Sequence, residues 1–276
     1  MMLERMKAPL RRLRADIHQL TGPLRGFPSA LIIGAQKAGT TSLFNYLVRH
    51  PHVLAPFGKE IHYFDLHYDR GVRWYRGHFP CRRRLRDGAL TLDASPYYLV
   101  HPQVPRRAFD LLPQVKLVAL LRNPVDRALS HYQHEVRGGR ESLSFIEALD
   151  REAERLAGEE ERLQRDPGYY SYNHHRYSYM LRGRYLEQLH RWTEHFPRSQ
   201  LLVVQSERFF QDPAGVTAQV LGFLGLHPHR LERYKPFLQG KYEREMPPEL
   251  RRRLTEYFAP YNARLYEWLG TEYDWA

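Results

Sequence analysis

Five residues with no polar side chain, Ala30-Leu31-Ile32-Ile33-Gly34, run directly into Ala35-Gln36-Lys37-Ala38-Gly39-Thr40-Thr41-Ser42, and this junction constrains the chain more than any other stretch. The apolar run reads as a short strand buried on both faces. The segment from Thr41 to Arg49, stopped by His50-Pro51, reads as the helix after it. A strand without a solvent face needs helices above and below it, which is the condition of a parallel sheet. The alternation recurs, with strands expected at Ala89–Leu92, Val115–Leu121 and Leu201–Val204. Helices are expected at Pro124–Val136, Ser144–Ala157, Tyr179–His195, Pro213–Leu224 and Pro248–Leu269. The fold class is therefore α/β, a parallel β-sheet flanked by helices on both faces, and ligands of such sheets sit beyond the C-terminal strand ends. The charged stretch from Gly158 to Gly168 reads as a surface loop.

Residues 1–28 read as a basic amphipathic appendage: Leu3, Met6, Leu10, Leu13, Ile17 and Leu20 recur at helical spacing with basic residues between them. Such a helix can lie on a membrane surface, giving peripheral contact through residues 1–20, or fold back on the body. Gly22-Pro23 and Gly26-Phe27-Pro28 break the chain before a single domain expected over 29–276. No stretch reaches the roughly 20 uninterrupted apolar residues of a spanning helix, and the N-terminus lacks the apolar core of a secretory signal. A cytoplasmic, bacterial setting is expected. Cys81 is the one cysteine, which rules out an intrachain disulfide and a multi-cysteine zinc site and fits a reducing compartment.

The net charge of +11 admits nucleic acid, an anionic membrane, or an anionic substrate and cofactor as partner. No helix-turn-helix, zinc or RNA-binding signature supports nucleic acid. Only six of the 42 basic residues are lysines, so a lysine in a special place is more informative than another arginine. Lys37 is in such a place. The glycines let backbone approach a ligand, successive N–H groups point inward, and the helix N-terminus adds partial positive charge. Lys37 adds a full charge, and Thr40, Thr41 and Ser42 add hydroxyls. The architecture is P-loop-like, but the order is G-x-x-K-x-G-T-T, whereas nucleotide hydrolases place the lysine after the second glycine. An ATP- and Mg²⁺-dependent kinase is thus the alternative reading, with Asp93 as its only candidate partner acid.

A second anion site follows the Val115–Leu121 run, in Arg122-Asn123-Pro124-Val125-Asp126-Arg127-Ala128-Leu129-Ser130. Arg122 at a strand end offers a planar fork, the proline starts a helix, and Ser130 sits two turns along it. Lys59-Glu60-Ile61-His62-Tyr63-Phe64-Asp65 supplies a carboxylate and an imidazole, and in an extended segment Glu60 and His62 share one face.

The run GAQKAGTTSLFNYLVRHPHV, followed by KEIHYFD, resembles the 5′-phosphosulfate loop and following segment of sulfotransferases that use 3′-phosphoadenosine 5′-phosphosulfate, in particular the Golgi carbohydrate type such as the heparan sulfate glucosaminyl sulfotransferases. The resemblance extends, with gaps, from about Ala30 to the end of the chain. It implies that donor, 3′,5′-adenosine bisphosphate as product, no metal, and a hydroxyl or amine acceptor, such as a carbohydrate. It assigns donor contacts to Lys37, Ala38, Gly39, Thr40, Thr41 and Ser42, and the 3′-phosphate to Arg122 and Ser130. A third contribution falls on Gly240 and Lys241, where relatives carry a K-G-R loop and this chain lacks one cation of the pair. Lys37 stabilises the leaving oxygen, Glu60 is the general base, and His62 is the alternative base because cytosolic relatives use a histidine. Glu60, His62, Asp93 and Ser95 line the acceptor cleft in this resemblance. Heparan-acting relatives commonly have Lys where this chain has Ala94, which argues against a heparan-like polyanion as acceptor. The segment Tyr169 to Tyr177, aromatic and basic, suits stacking on a sugar and equally suits a surface loop.

Overall fold

The computed structural model describes residues 20–235, 237 and 246–275. The expected N-terminal helix over residues 1–19 and the Gly240-Lys241 loop lie outside the described residues. From Gly22 onward the chain is already packed on the body. Gly22–Leu24 form a 3-10 turn, Arg25 is buried with Nη1 donating to Phe79 O at 2.9 Å, and Gly26 N donates to Pro80 O.

Four strands form one parallel sheet: β1 (Ala30–Gly34), β2 (Leu92–Ala94), β3 (Lys116–Leu121) and β4 (Leu201–Gln205), in the order β2-β1-β3-β4. Successive strand residues point to opposite faces, and every residue of β1 and of Leu117–Leu121 is buried, so both faces of the sheet are covered. The helices are α1 (Thr40–Leu47), α2 (Gly71–Arg76), α3 (Val104–Leu111), α4 (Pro124–Arg137), α5 (Phe145–Asp150), α6 (Glu152–Leu156), α7 (Glu159–Arg165), α8 (Tyr172–Arg176), α9 (Tyr185–Thr193), α10 (Ser206–Gln211), α11 (Pro213–Leu224) and α12 (Pro248–Leu269). The chain leaves β1 for β2 on one side while β3 lies on the other. This strand reversal opens a crevice at the C-terminal ends of β1 and β3. A second apolar cluster, including Val125, Ala128, Tyr179, Leu254 and Phe258, joins α4 to α12. Among the described residues no helix is long and apolar enough to cross a membrane.

Several elements differ from their sequence-based expectation. The strand expected at Ala89–Leu92 begins only at Leu92. Asp87 and Gly88, at φ 58° and 80°, turn the chain immediately before, and Leu90 makes one isolated bridge to Val53. The helix expected at Ser144–Ala157 divides at Arg151 into α5 and α6, and the break lets buried Glu152 accept the N–H groups of Met180 and Leu181 at 2.7 and 2.8 Å. The helix expected from Tyr179 starts at Tyr185, because Leu181–Gly183 form a 3-10 turn and Arg184, at ψ 70°, leaves the helical backbone.

The expected loop over Gly158–Gly168 contains α7. Its charges are a helix signal: Glu159, Glu160 and Glu161 fill the first turn and Arg162 and Arg165 the last, matching the helix dipole, while Leu163 is buried.

Candidate functional site

The loop between β1 and α1 is a cradle of backbone donors. Gly39 begins α1 in the left-handed region at φ 95°, and no side chain caps the helix, which leaves the N–H groups of its first turn aimed outward. A Cβ on Gly39 would lie 2.8 Å from the Phe210 ring, so only glycine fits. Ala38 is fully buried, its carbonyl accepting from Ser206 Oγ at 2.9 Å. Lys37 takes φ 72°, a costly conformation for a residue with a side chain. Burial, then the charges of Arg137 and Arg122, pull its ammonium below its ordinary pKa. Thr40 is buried at the helix start. Ser42 differs from expectation: its hydroxyl is fully buried and accepts from Phe237 N–H at 2.9 Å, so it tethers that segment and leaves only its backbone N–H to the cradle.

The second cation reaches the same loop. Arg122, at the end of β3, donates from Nη1 to Lys37 O at 3.0 Å, binding the β3 end to the β1 loop. Asn123 caps α4 with its side chain, and Ser130 lies partly exposed two turns along that helix. Arg122 and the α1 N-terminus therefore border one crevice.

Glu60 and His62 do not lie on an extended segment, as the sequence suggested. They have φ 59° and 54°, and together with Lys37 they are three of the four described non-glycine residues at positive φ. The tight turn is pinned from beneath by Glu60 N to Ala94 O at 3.2 Å, His62 N to Ser95 Oγ at 3.1 Å and Tyr63 N to Tyr98 Oη at 2.9 Å. Strain of this kind persists where surrounding contacts over-determine it, and it gathers at functional sites.

Around the turn runs a chain of charges. Lys59 Nζ donates to Thr41 Oγ1 at 2.9 Å and to Glu60 Oε1 at 2.6 Å, joining the cradle to the carboxylate. His62 Nε2 stands 3.8 Å from Glu60 Oε2, and its Nδ1 bonds the buried Asp65 carboxylate at 2.8 Å. Burial pushes Glu60 up, but His62 and Lys59 outweigh it and hold the carboxyl at about 2. Burial pulls His62 down, but Asp65 and Glu60 hold it up at about 10. The imidazole is thus protonated at neutral pH. It orients Glu60 and does not have the free lone pair of a base.

Asp93 and Ser95, expected in the acceptor cleft, are 1 % and 0 % exposed. Asp93 accepts from Tyr75 and Tyr98 hydroxyls at 3.2 and 2.8 Å and from Ser95 Oγ at 3.0 Å, and burial raises its carboxyl to about 6. Ser95 holds the Glu60–His62 turn directly and Asp93 holds it through Ser95 and Tyr98, so both side chains are engaged within the protein. Ala94 is buried with them.

Sequence reasoning gave no role to Lys59 and Asp65, though both flank the Glu60–His62 pair. It also missed Arg182, a buried cation whose Nη1 donates to Gln36 Oε1 at 2.7 Å and whose guanidinium lies 4.8 Å over the Tyr97 ring. Tyr97 stacks at 4.4 Å on His175, and burial with the charges of Arg182 and Arg176 holds that imidazole neutral, at about 2. His175 in turn faces His62 at 6.3 Å between ring centres. No local pattern marks an arginine 146 residues away from its partner.

An uncapped helix N-terminus, two convergent cations and an ionised carboxylate at a strand-order reversal make an α/β site whose chemistry suits an anionic ligand and a group to be acted on beside it. A family model described as "Sulfotransferase domain" matches residues 27–247. The chain belongs to the sulfotransferase family. It is 32 % identical over 274 residues to human heparan sulfate glucosamine 3-O-sulfotransferase 6, covering 91 % of this chain and 74 % of that one. It is 34 % identical over 212 residues to human bifunctional heparan sulfate N-deacetylase/N-sulfotransferase 3, covering 73 % of this chain and 23 % of that one. Among solved structures it resembles a sulfotransferase from Alicyclobacillus acidocaldarius at TM-score 0.69 and 34 % identity, covering 90 % and 98 % of the two chains.

Proposed function

We propose that this sulfotransferase takes its sulfuryl group from 3′-phosphoadenosine 5′-phosphosulfate and delivers it to a hydroxyl or amine of a carbohydrate, with side-chain cations and backbone N–H groups supplying the positive charge. The carrying observation is Lys59, shared between Thr41 on the phosphate cradle and Glu60 on the opposite wall. Arg122 and Ser130 hold the 3′-phosphate in this reading, while Lys37 and the first N–H groups of α1 hold the 5′-phosphate.

Glu60 accepts the acceptor's proton as the new bond to sulfur forms. The bond from sulfur to the 5′-phosphate oxygen breaks, and the electron pair remaining on that oxygen is met by the Lys37 ammonium and the N–H groups. A carboxylate held at about 2 is a weak base at rest. Negative charge in the cradle draws the Lys59 ammonium towards Thr41 and away from Glu60, which raises the basicity of Glu60 when donor is present. The His62 imidazolium keeps the carboxylate aimed throughout.

A carbohydrate acceptor is supported by Tyr170, beside His175, and Tyr172, beside Tyr177, which expose 47 % and 44 % of their surface, and by the two relatives whose names specify glucosamine or heparan sulfate. Glu60→Gln tests the reading. Turnover should fall by about 10²–10⁴, the usual worth of a general base, with affinity for 3′,5′-adenosine bisphosphate unchanged by calorimetry. Normal turnover would remove Glu60 as base, and a wild-type protein that does not bind the bisphosphate would sink the donor assignment.

A further inference from the structure

The peptide unit between Arg122 and Asn123 is gripped at both of its polar ends. Its carbonyl oxygen accepts from the Tyr185 hydroxyl at 2.7 Å, and its N–H donates to Glu207 Oε1 at 2.8 Å. On one side of this unit stands the guanidinium that reaches Lys37 O; on the other stands the residue that caps α4 and so sets where Ser130 points.

Both grips converge on Trp275. Its indole Nε1–H donates to Glu207 Oε2 at 3.1 Å, and its ring lies 5.8 Å from that of Tyr185. Tyr266 and Tyr273, at 5.9 and 4.9 Å, pack around it, and Trp275 is only 5 % exposed. A tryptophan serving only to fill the core needs no carboxylate. Here each Glu207 oxygen has one N–H to satisfy, and the indole fixes the rotation that turns the other oxygen towards Asn123.

We propose that Trp275, acting through Glu207 and Tyr185, is a positioning residue for Arg122, and that residues 271–275 form a clasp setting the arm that meets the donor's 3′-phosphate. This rests on the donor site described above. The clasp residues make no contact with the Lys37 loop or Glu60 among the described contacts and reach the donor site through Arg122, so their effect falls chiefly on ligands that carry a 3′-phosphate.

The experiment compares wild type, Trp275→Phe and Glu207→Gln, each titrated calorimetrically with 3′,5′-adenosine bisphosphate and with adenosine 5′-monophosphate, alongside melting temperatures. Trp275→Phe keeps a ring in the cluster and removes the indole N–H with part of the ring; Glu207→Gln keeps the shape and weakens the bonds from Asn123 N–H and from the indole. Both variants should bind the bisphosphate about five- to tenfold more weakly, the scale of one misplaced hydrogen bond to a charged group, and the monophosphate within about twofold of wild type. Equal losses for the two nucleotides would mean general loosening and would overturn the clasp, as would unchanged affinity for both. Wild type failing to prefer the bisphosphate would instead overturn the 3′-phosphate assignment on which the clasp rests.

Discussion

Replacing Asp65 by Asn removes the buried charge that keeps His62 protonated and leaves the side-chain shape in place. The Asp65 carboxylate is fully buried 2.8 Å from His62 Nδ1, and the imidazole is 18 % exposed, so water screens the pair weakly. His62 is held at about 10 against an ordinary value of 6.5. At about 1.36 kcal/mol per unit, this corresponds to roughly 4–5 kcal/mol favouring the folded, protonated state, and breaking a buried pair costs a similar ~3–5 kcal/mol. A folded-state value above the unfolded one gives stabilisation that is complete below about pH 6.5 and lost as pH rises through about 10. In the Asn variant only the partly exposed Glu60 still supports the imidazolium, and most of this contribution disappears. Urea unfolding of both proteins at about pH 6, 8 and 10 measures it. The wild type should exceed the variant by about 3 kcal/mol or more at the lowest pH, by roughly half that in the middle, and by little at the highest. A gap that stays constant across the series would refute the buried ion pair as its source.

Other outcomes follow from the same geometry. Arg122→Ala should weaken 3′,5′-adenosine bisphosphate binding by roughly 1.5–3 kcal/mol, the worth of a hydrogen bond to a charged group, with an unchanged dissociation constant counting against the 3′-phosphate role. Gly39→Ala must take φ 95° and push into the Phe210 ring, so a loss of at least about 1–2 kcal/mol in unfolding free energy and a weaker donor are expected; a melting temperature equal to wild type would contradict the cradle geometry. Lys59→Met removes the ammonium that helps hold Glu60 at about 2, so the acid limb of the turnover profile should move to higher pH. An unmoved limb would show that Lys59 does not govern the base.

The parts of the fold that were legible from sequence are those where one local signal dominates. The all-apolar β1 and the Pro-started, Gly-ended α11 were readable because burial and capping chemistry lie within the segment itself. α7 was misread because its charges were taken as loop polarity when their order along the segment, acids first and bases last, complements a helix. At the site, the cradle and Arg122 followed from spacing, but the Glu60–His62 turn did not. Its left-handed backbone is imposed by Ser95, Ala94 and Tyr98, some 33 to 35 residues away. Asp93 and Ser95 looked like ligand groups because polar residues near a motif invite that reading, whereas only packing reveals that their partners are each other, two buried tyrosines and the His62 N–H.

The order of the strands bears on how such a protein can change its acceptor. The donor cradle hangs from β1 and the Arg122 arm from β3, neighbours in the interior of the sheet, whereas the turn carrying Glu60 rests on β2, an edge strand paired on one side only. Substitutions around the Glu60 turn therefore bear first on a three-residue strand at the margin of the sheet, one strand removed from β3. On the function proposed above, residues 59–99 carry the acceptor wall, and their transplant between relatives would exchange acceptor choice while the donor site stays in place.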